Sequence, residues 1–344
     1  MDLLTSVKHD IINLINVISK TVNYYNDLVI KRTRKIKLAD ILYLLVRKTA
    51  TGNSFDKMIC EMQIYKYNSA SKQAFIKKRS VLPDNLFLNI NDTILKEVIY
   101  KTNKPRIIAV DGTNIVLDKK LNKFGFKFNS KENYCTALIS CMYDVKTHIP
   151  INYTLVTHNN ERKAFIDDQL KYVNEGDIII FDRGYYSDEL IKILSEKGIK
   201  FIFRIKNEYK MTKQLIKENK DEINYNVKVK KVNYPVRCIK YNIDLVEDEK
   251  KSHYKYPKNG TYYVCTNLNN TYNISDISIL YHDRWSIETD FRFSKYDLSL
   301  SEITSKTLSN VKQDIQIHNF ILIIAGYIYT LISKLNKALR FFKT

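Results

Sequence analysis

Four residues with hydrogen-bonding side chains recur at a regular spacing in YHDRWSIETDFRFSK, residues 281–295: Tyr281, Arg284, Glu288 and Lys295. At about 100° per residue, each step of seven returns to within about 20° of the same direction. The spacing therefore predicts one helix with Tyr281, Glu288 and Lys295 along a stripe and Arg284 about 60° to one side. Ile287, Phe291 and Trp285 fall on other sides, where they can hold the helix against a core. A carboxylate set among a phenol and two cations suits phosphate chemistry at a metal ion. The plainer alternative is a solvated salt bridge between Glu288 and Arg284 at i−4.

Such a carboxylate needs partners, and strand ends supply two. PRIIAVDGTNIVL, from residue 105, is a β-rich apolar run with an Asp-Gly step that puts Asp111 on or just beyond a strand. NYCTALISCMYD (133–144) and HIPINYTLVTH (148–158) predict two more strands with a turn near 145–147, and ERKAFIDDQLKYV (161–173) an amphipathic helix. GDIIIFDRGYYSDELIKILSEKGIKFIFRIK (176–206) has the length and pattern of a βαβ unit. Asp182 stands at the carboxyl end of its first strand, where open α/β sheets build their sites. Asp-Gly also closes ordinary turns, so neither aspartate decides the matter alone. Together, three hard oxygen donors with room for phosphate and water suit Mg²⁺ or Mn²⁺. Two such ions about 4 Å apart serve phosphoryl transfer. Arg284 and Lys295 would then hold phosphates beside Glu288, with Tyr281 donating a hydrogen bond.

The bulk composition agrees. In 344 residues, 56 Lys+Arg against 37 Asp+Glu leave a net charge of +19, which favours a polyanionic partner such as DNA, RNA or an acidic membrane surface. An AT-rich genome, encoding much Lys, Asn, Ile and Tyr, is the bland source of the same surplus. The length predicts two or three domains, and 44% hydrophobic residues suffice for their cores. Five scattered cysteines without a C-x-x-C pair argue against a disulfide framework or a zinc ribbon and fit a reducing compartment. Charges interrupt the first residues, so no signal peptide is expected. The longest apolar run, FILIIAGYIYTLI (320–332), reads as a buried helix too short to span a bilayer. A soluble, intracellular protein without a membrane partner is expected.

The elements divide into segments. Residues 1–102 read as mostly helical, with LADILYLLVRKTA (38–50) and LPDNLFLNINDTILKEVIYK (82–101) as the strongest stretches; the basic cluster 31–37 is either a phosphate contact or a solvated helix face. Residues 103–206 and 276–344 would form an α/β core with helices at its carboxyl end. Between them, 207–275 alternates apolar with basic positions, predicting a β-rich insertion with a wet basic face through Lys228, Lys230, Arg237 and Lys240, of which Lys228, Lys230 and Arg237 are expected to contact DNA.

These residues carry a resemblance. Tyr281, Arg284, Glu288 and Lys295 match, without a gap, the Y-x2-R-x3-E-x6-K signature of DDE transposases of the insertion-sequence-four family. AVDGT around Asp111 and DRGY from Asp182 are similar to that family's first two acidic blocks, with lesser similarity at NERKAF from Asn160 and at YYVCTNL. The resemblance covers roughly 105–330. It implies a ribonuclease H-like catalytic core interrupted by a β-rich insertion, a DNA-binding amino-terminal region and a helical carboxyl end that helps form a homodimer on DNA. It further implies that Asp111, Asp182 and Glu288 ligate two Mg²⁺, with Mn²⁺ as a substitute, and that Tyr281, Arg284 and Lys295 grip phosphates of the transposon end. Water would cut the element's boundary in double-stranded DNA, and the freed 3′-hydroxyl would attack again, on the opposite strand to form a hairpin and later on target DNA.

One feature departs from the pattern. Some relatives stack a flipped base on a tryptophan of the insertion; here the single tryptophan, Trp285, lies in the signature helix, leaving Tyr234 or Tyr263 for that task. Two other readings stay open: a domesticated or defective relative that binds DNA ends without mobilising them, and a non-catalytic nucleic-acid-binding protein whose acids are turn residues. If the source is bacterial, the expected location is the cytoplasm, at the nucleoid.

Overall fold

Strand β1 (Ile107–Asp118) is the axis of the fold. In the computed structural model, which describes residues 3–30, 36–64, 70–101, 104–157, 160–242, 260–298 and 300–341, it pairs antiparallel with β3 (Tyr134–Asp144) along its whole length. The far edge of β3 is shared by β2 (Lys127–Asn129) and β4 (Ile149–Val156), both antiparallel to it. On the other side of β1 lie β5 (Ile178–Phe181) and β6 (Lys200–Arg204), both parallel to it. An antiparallel meander followed by two parallel strands reached through helices is the ribonuclease H-like core expected from the sequence. β5 reads Ile-Ile-Ile-Phe and is buried throughout, as a parallel strand covered on both faces must be.

The sheet continues where the insertion was expected. Strands β7 (Glu222–Val229), β8 (Val232–Asn242) and β9 (Thr261–Thr266) join it through an antiparallel β6–β9 pairing, giving the order β2-β3-β1-β5-β6-β9-β8-β7. These strands share the core's own sheet: β9 covers the polar edge that β6 would otherwise expose.

Helices cover both faces. The amino-terminal region is helical, as expected: α1 (Leu3–Val29), α2 (Leu38–Thr51), α3 (Phe55–Ile64), α4 (Lys72–Arg79) and α5 (Leu86–Ile94). Most of the basic cluster at 31–37 falls outside the described residues. A short helix, α6 (Glu161–Ala164), follows β4 and runs on through a π-turn; α7 (Asp188–Glu196) links β5 to β6, and α8 (Lys210–Lys217) leads to β7. Ser187 caps α7 by accepting the Leu190 N–H at 3.2 Å, with two acids in the first turn. On the opposite face, α9 (Ile274–His282) begins with an Asn273/Asp276 capping box, and α10 (Trp285–Tyr296) packs Ile287 and Phe291 against β1 and β3.

The apolar run 320–332 belongs to α11 (Leu308–Phe341), a helix of 34 residues. The sequence reading called this run too short to cross a membrane, but residues 308–336 are long and apolar enough by length and composition. That stretch is mostly buried inside the fold: 61% of its apolar window lies against other elements. It also buries Gln313, Gln316, His318 and Asn319. Gln316 donates to the Tyr153 carbonyl at 2.8 Å, and Arg79 of α4 pairs with Asp314 at 2.7 Å. Gln313, Gln316 and His318 are satisfied by protein, as in a core helix, whereas the Asn319 amide has no hydrogen-bond partner.

Candidate active site

Side-chain alternation decides which face each acid takes. Along β1, Ile108 and Val110 join the core beneath the amino-terminal helices, whereas Ala109, Ile115 and Leu117 join the one beneath α10. Asp111 shares the parity of Ala109 and so points toward α10. Along β5, Ile178 and Ile180 pack with Leu280 and Tyr281 of α9, and Asp182 follows that parity just beyond the strand. The β1–β5 pairing ends at Val110–Phe181, so Asp111 and Asp182 are the next neighbours on adjacent strands. Beyond them β1 runs on while β5 has stopped, which leaves that edge of β1 unpaired by β5 beside the acids.

The signature stripe is split between two helices, contrary to the single helix expected. Tyr281 lies in the last turn of α9, which ends at His282, and α10 starts at Trp285 after a turn at Asp283–Arg284. The turn is tightened by i→i−3 bonds: Arg284 N–H to the Tyr281 carbonyl at 3.2 Å, Ser286 N–H to Asp283 at 3.2 Å and Ile287 N–H to Arg284 at 3.1 Å. The Ser286 hydroxyl also caps the Asp283 carbonyl at 2.7 Å.

This turn delivers Arg284 between two of the acids. Its Nη1 donates to Asp111 Oδ2 at 2.8 Å and its Nη2 to Glu288 Oε1 at 2.9 Å, with the side chain 5% exposed. Asp111 Oδ1 accepts the Gly112 N–H at 2.8 Å. Asp182 is held differently: the Tyr281 hydroxyl donates to its Oδ1 at 3.3 Å, and Arg204 Nη1 stands 3.6 Å away. The Arg204 guanidinium also lies 4.5 Å above the Tyr262 ring. Burial pushes the Asp111 carboxyl up to about 6; Arg284 and the Gly112 N–H oppose this, while the charges of Glu161 and Asp182 reinforce it. Burial likewise pushes the Tyr281 hydroxyl up. Burial alone would lower Arg284, but the acids around it outweigh that and keep it charged.

Lys295 is half-buried further along α10 and, among the described residues, pairs with no carboxylate; burial lowers its pKa. The other expected cations do not reach the acids. Lys228 and Lys230 are exposed on β7 and its hairpin, at the last strand of the sheet and toward its opposite end. Arg237 was expected on a wet face but is buried. It forks onto Glu222 at 2.6 and 2.9 Å and donates to the carbonyls of Asn269 and Tyr272, each at 2.8 Å. It fastens the loop that leads into α9. Of the two tyrosines considered for base stacking, Tyr234 is buried and donates to Glu196 at 2.7 Å, and Tyr263 is half-buried in β9.

The chain matches the family described as Transposase DDE domain over residues 102–324, well over half its length. It belongs to that family. No curated protein sequence matches it. Among solved structures it is similar to one titled "Cryo-EM structure of piggyBac transposase synaptic complex with hairpin DNA (SNHP)", at 13% identity and a TM-score of 0.49, covering 93% of this chain and 73% of that one. So distant a likeness decides nothing about this chain.

In this DDE transposase domain, no three His, Cys, Asp or Glu side chains among the described residues stand together as a ready metal cage. The oxygen donors nonetheless fit a hard divalent cation. Arg284 stands in for one, since its guanidinium supplies the positive charge between Asp111 and Glu288. Two residues at the site were missed from the sequence. Arg204 ends the apolar strand FIFR, and an arginine at a strand end beside Asp182 was the available signal. Glu161 is the second residue of NERKAF, a block legible as a family similarity and as the start of an amphipathic helix but not as part of the site.

Proposed function

We propose that this chain is a cut-and-paste DNA transposase of the insertion-sequence-four kind, with Tyr281, Arg284, Glu288 and Lys295 as its signature. The observation that carries this reading is Arg284 joining Asp111 of β1 to Glu288 of α10 beside Asp182, so that acids from three distant segments meet in one cleft. The substrate is double-stranded DNA at the inverted ends of the chain's own element, followed by target DNA. Asp111, Asp182 and Glu288 would hold two Mg²⁺, or Mn²⁺ in substitution. Bound there, the ions supply charge stabilisation for phosphodiester hydrolysis and transesterification.

The chain's own side chains do the rest. Tyr281 and Arg204 orient Asp182 by hydrogen bond and charge. Arg284 keeps Asp111 and Glu288 together and can turn a guanidinium edge to a phosphate. Lys295, its charge weakly compensated, faces the same phosphates from further along α10. The amino-terminal helices and the β7–β8 hairpin, with Lys228 and Lys230, would carry further DNA contacts. Residues 1–102, the split core and 207–275 act as separate functional segments, and the assembly on DNA is a homodimer inside the cell.

The test is direct. Purified protein is incubated with the DNA flanking its gene and with Mg²⁺ or Mn²⁺, and cuts are mapped beside Glu288→Gln. Cuts at inverted ends that need both metal and Glu288 are expected. Cutting that survives Glu288→Gln would overturn the assignment.

A further inference from the structure

We propose that Glu161 is a fourth carboxylate of this site, ligating the divalent cation on the Gly112 side of Asp111; the inference rests on the transposase reading above. Three consecutive residues build its position. Asn160 caps α6 by accepting the Lys163 N–H at 3.0 Å. Arg162 Nη1 donates to the Tyr186 carbonyl at 3.1 Å, pinning α6 to the turn that carries Asp182. Between them, Glu161 extends over the backbone of Gly112. A Cβ at residue 112 would lie 2.7 Å from Glu161 Cδ and closer still to its Oε1. Only glycine lets the carboxylate in at that point, beside Asp111 and where β5 no longer covers β1.

The neighbours of Glu161 point to a missing cation. It forms no ion pair among the described residues, yet its charge is felt at Asp111 and Asp182 acts on it in turn. The Tyr185 side chain is buried to 1% exposure, and its hydroxyl, close to Glu161 and Ser140, makes no bond of full hydrogen-bond geometry to either. A buried hydroxyl without a well-formed bond is costly and leaves room for a further group beside Glu161. An acid that served only the start of α6 could do so from solvent, since helix-dipole stabilisation needs no cleared path past residue 112. Glu161 instead takes the crowded route toward two other acids. Like charges brought together in a partly buried cleft are tolerated when a cation neutralises them.

The experiment measures Mn²⁺ affinity of the DNA-free protein by electron paramagnetic resonance, for the parent, Glu161→Gln, Gly112→Ala and Asp111→Asn, with circular dichroism to check folding. Glu161→Gln keeps the shape and should weaken Mn²⁺ by at least about 10- to 100-fold, the scale that even residues merely orienting a ligand reach. Gly112→Ala displaces the Glu161 carboxylate and should weaken Mn²⁺ similarly, which covers the case in which one variant misfolds. If Asp111→Asn loses Mn²⁺ while folded Glu161→Gln or Gly112→Ala keeps the parent affinity, the inference about Glu161 falls and the transposase reading stands. If the parent itself takes up no Mn²⁺, both fall.

Discussion

Arg284 donates to Asp111 across 2.8 Å while its other terminal nitrogen serves Glu288 at 2.9 Å. A single guanidinium thus neutralises acids from β1 and α10, and the helix break at Asp283–Arg284 exists to place it there. Removing one partner of a buried ion pair costs about 3–5 kcal/mol, and the carboxylates' partial exposure puts this case at the low end. Arg284→Gln should therefore lower stability in the absence of metal, and Mn²⁺ should restore much of the loss by supplying the absent charge. Urea melts with and without Mn²⁺ read this out; a loss untouched by Mn²⁺ would count against Arg284 as a stand-in cation.

Two residues beyond Glu288 on α10, Asp290 accepts the Tyr153 hydroxyl at 2.5 Å. This bond fixes the helix to β4. Burial pushes the Asp290 carboxyl up to about 6, opposed by the Tyr153 bond. An unfolded aspartate titrates near pH 4, so the fold binds this proton more tightly than the unfolded chain does. The stability linked to it is complete below about pH 4 and is lost as pH rises through about 6. Asp290→Asn removes the titration and leaves an oxygen for Tyr153. The variant should match the parent near pH 4 and exceed it by on the order of 3 kcal/mol at pH 8. A stability difference that does not change with pH would refute this.

What the sequence disclosed, and what it hid, follows from the range of the interactions. Strand alternation, the βαβ unit around Asp182 and the Asp-Gly step at Asp111 are local patterns that put Asp111 on a strand and Asp182 at the carboxyl end of another, but only the fold makes those two strands neighbours. The stripe from Tyr281 to Lys295 was legible as a spacing, but the i→i−3 turn at Arg284 was not, because no proline or glycine announces it. Arg237 looked wet because it alternates with apolar neighbours in β8. Only the fold brings Glu222 and the 269–272 carbonyls around it. Glu161 was hidden for the same reason, since its meeting with Gly112 is a contact between distant segments that no periodicity records.

Arg237 illustrates a cation that works through packing. Its fork on Glu222 and its bonds to two loop carbonyls hold the entrance to α9, and with it Tyr281. Arg237→Met should cost about 3–5 kcal/mol by stranding Glu222 and the carbonyls. It should leave the salt dependence of DNA binding unchanged, because no phosphate contact is lost. Thermal melts and binding titrations between low and high salt measure the two effects separately. A flattened salt slope at parental stability would reverse the assignment.

Lys295 should behave in the opposite way. Each neutralised phosphate contributes about 0.9 to the slope of log K against log salt, so Lys295→Ala should flatten it by about one. Lys228 sits on the last strand and Lys230 in the hairpin beyond it, five strand spacings from β1, or about 24 Å across the sheet. A DNA duplex confined to the cleft cannot reach them. Lys228→Ala with Lys230→Ala should leave the slope on a short duplex intact and reduce it only on DNA extended by roughly 7 base pairs or more beyond the cleft, at 3.4 Å each. Titrating both lengths against all the variants tests where the DNA runs. Equal effects of the two lysines on short and long duplexes would mean that it crosses the molecule by another path.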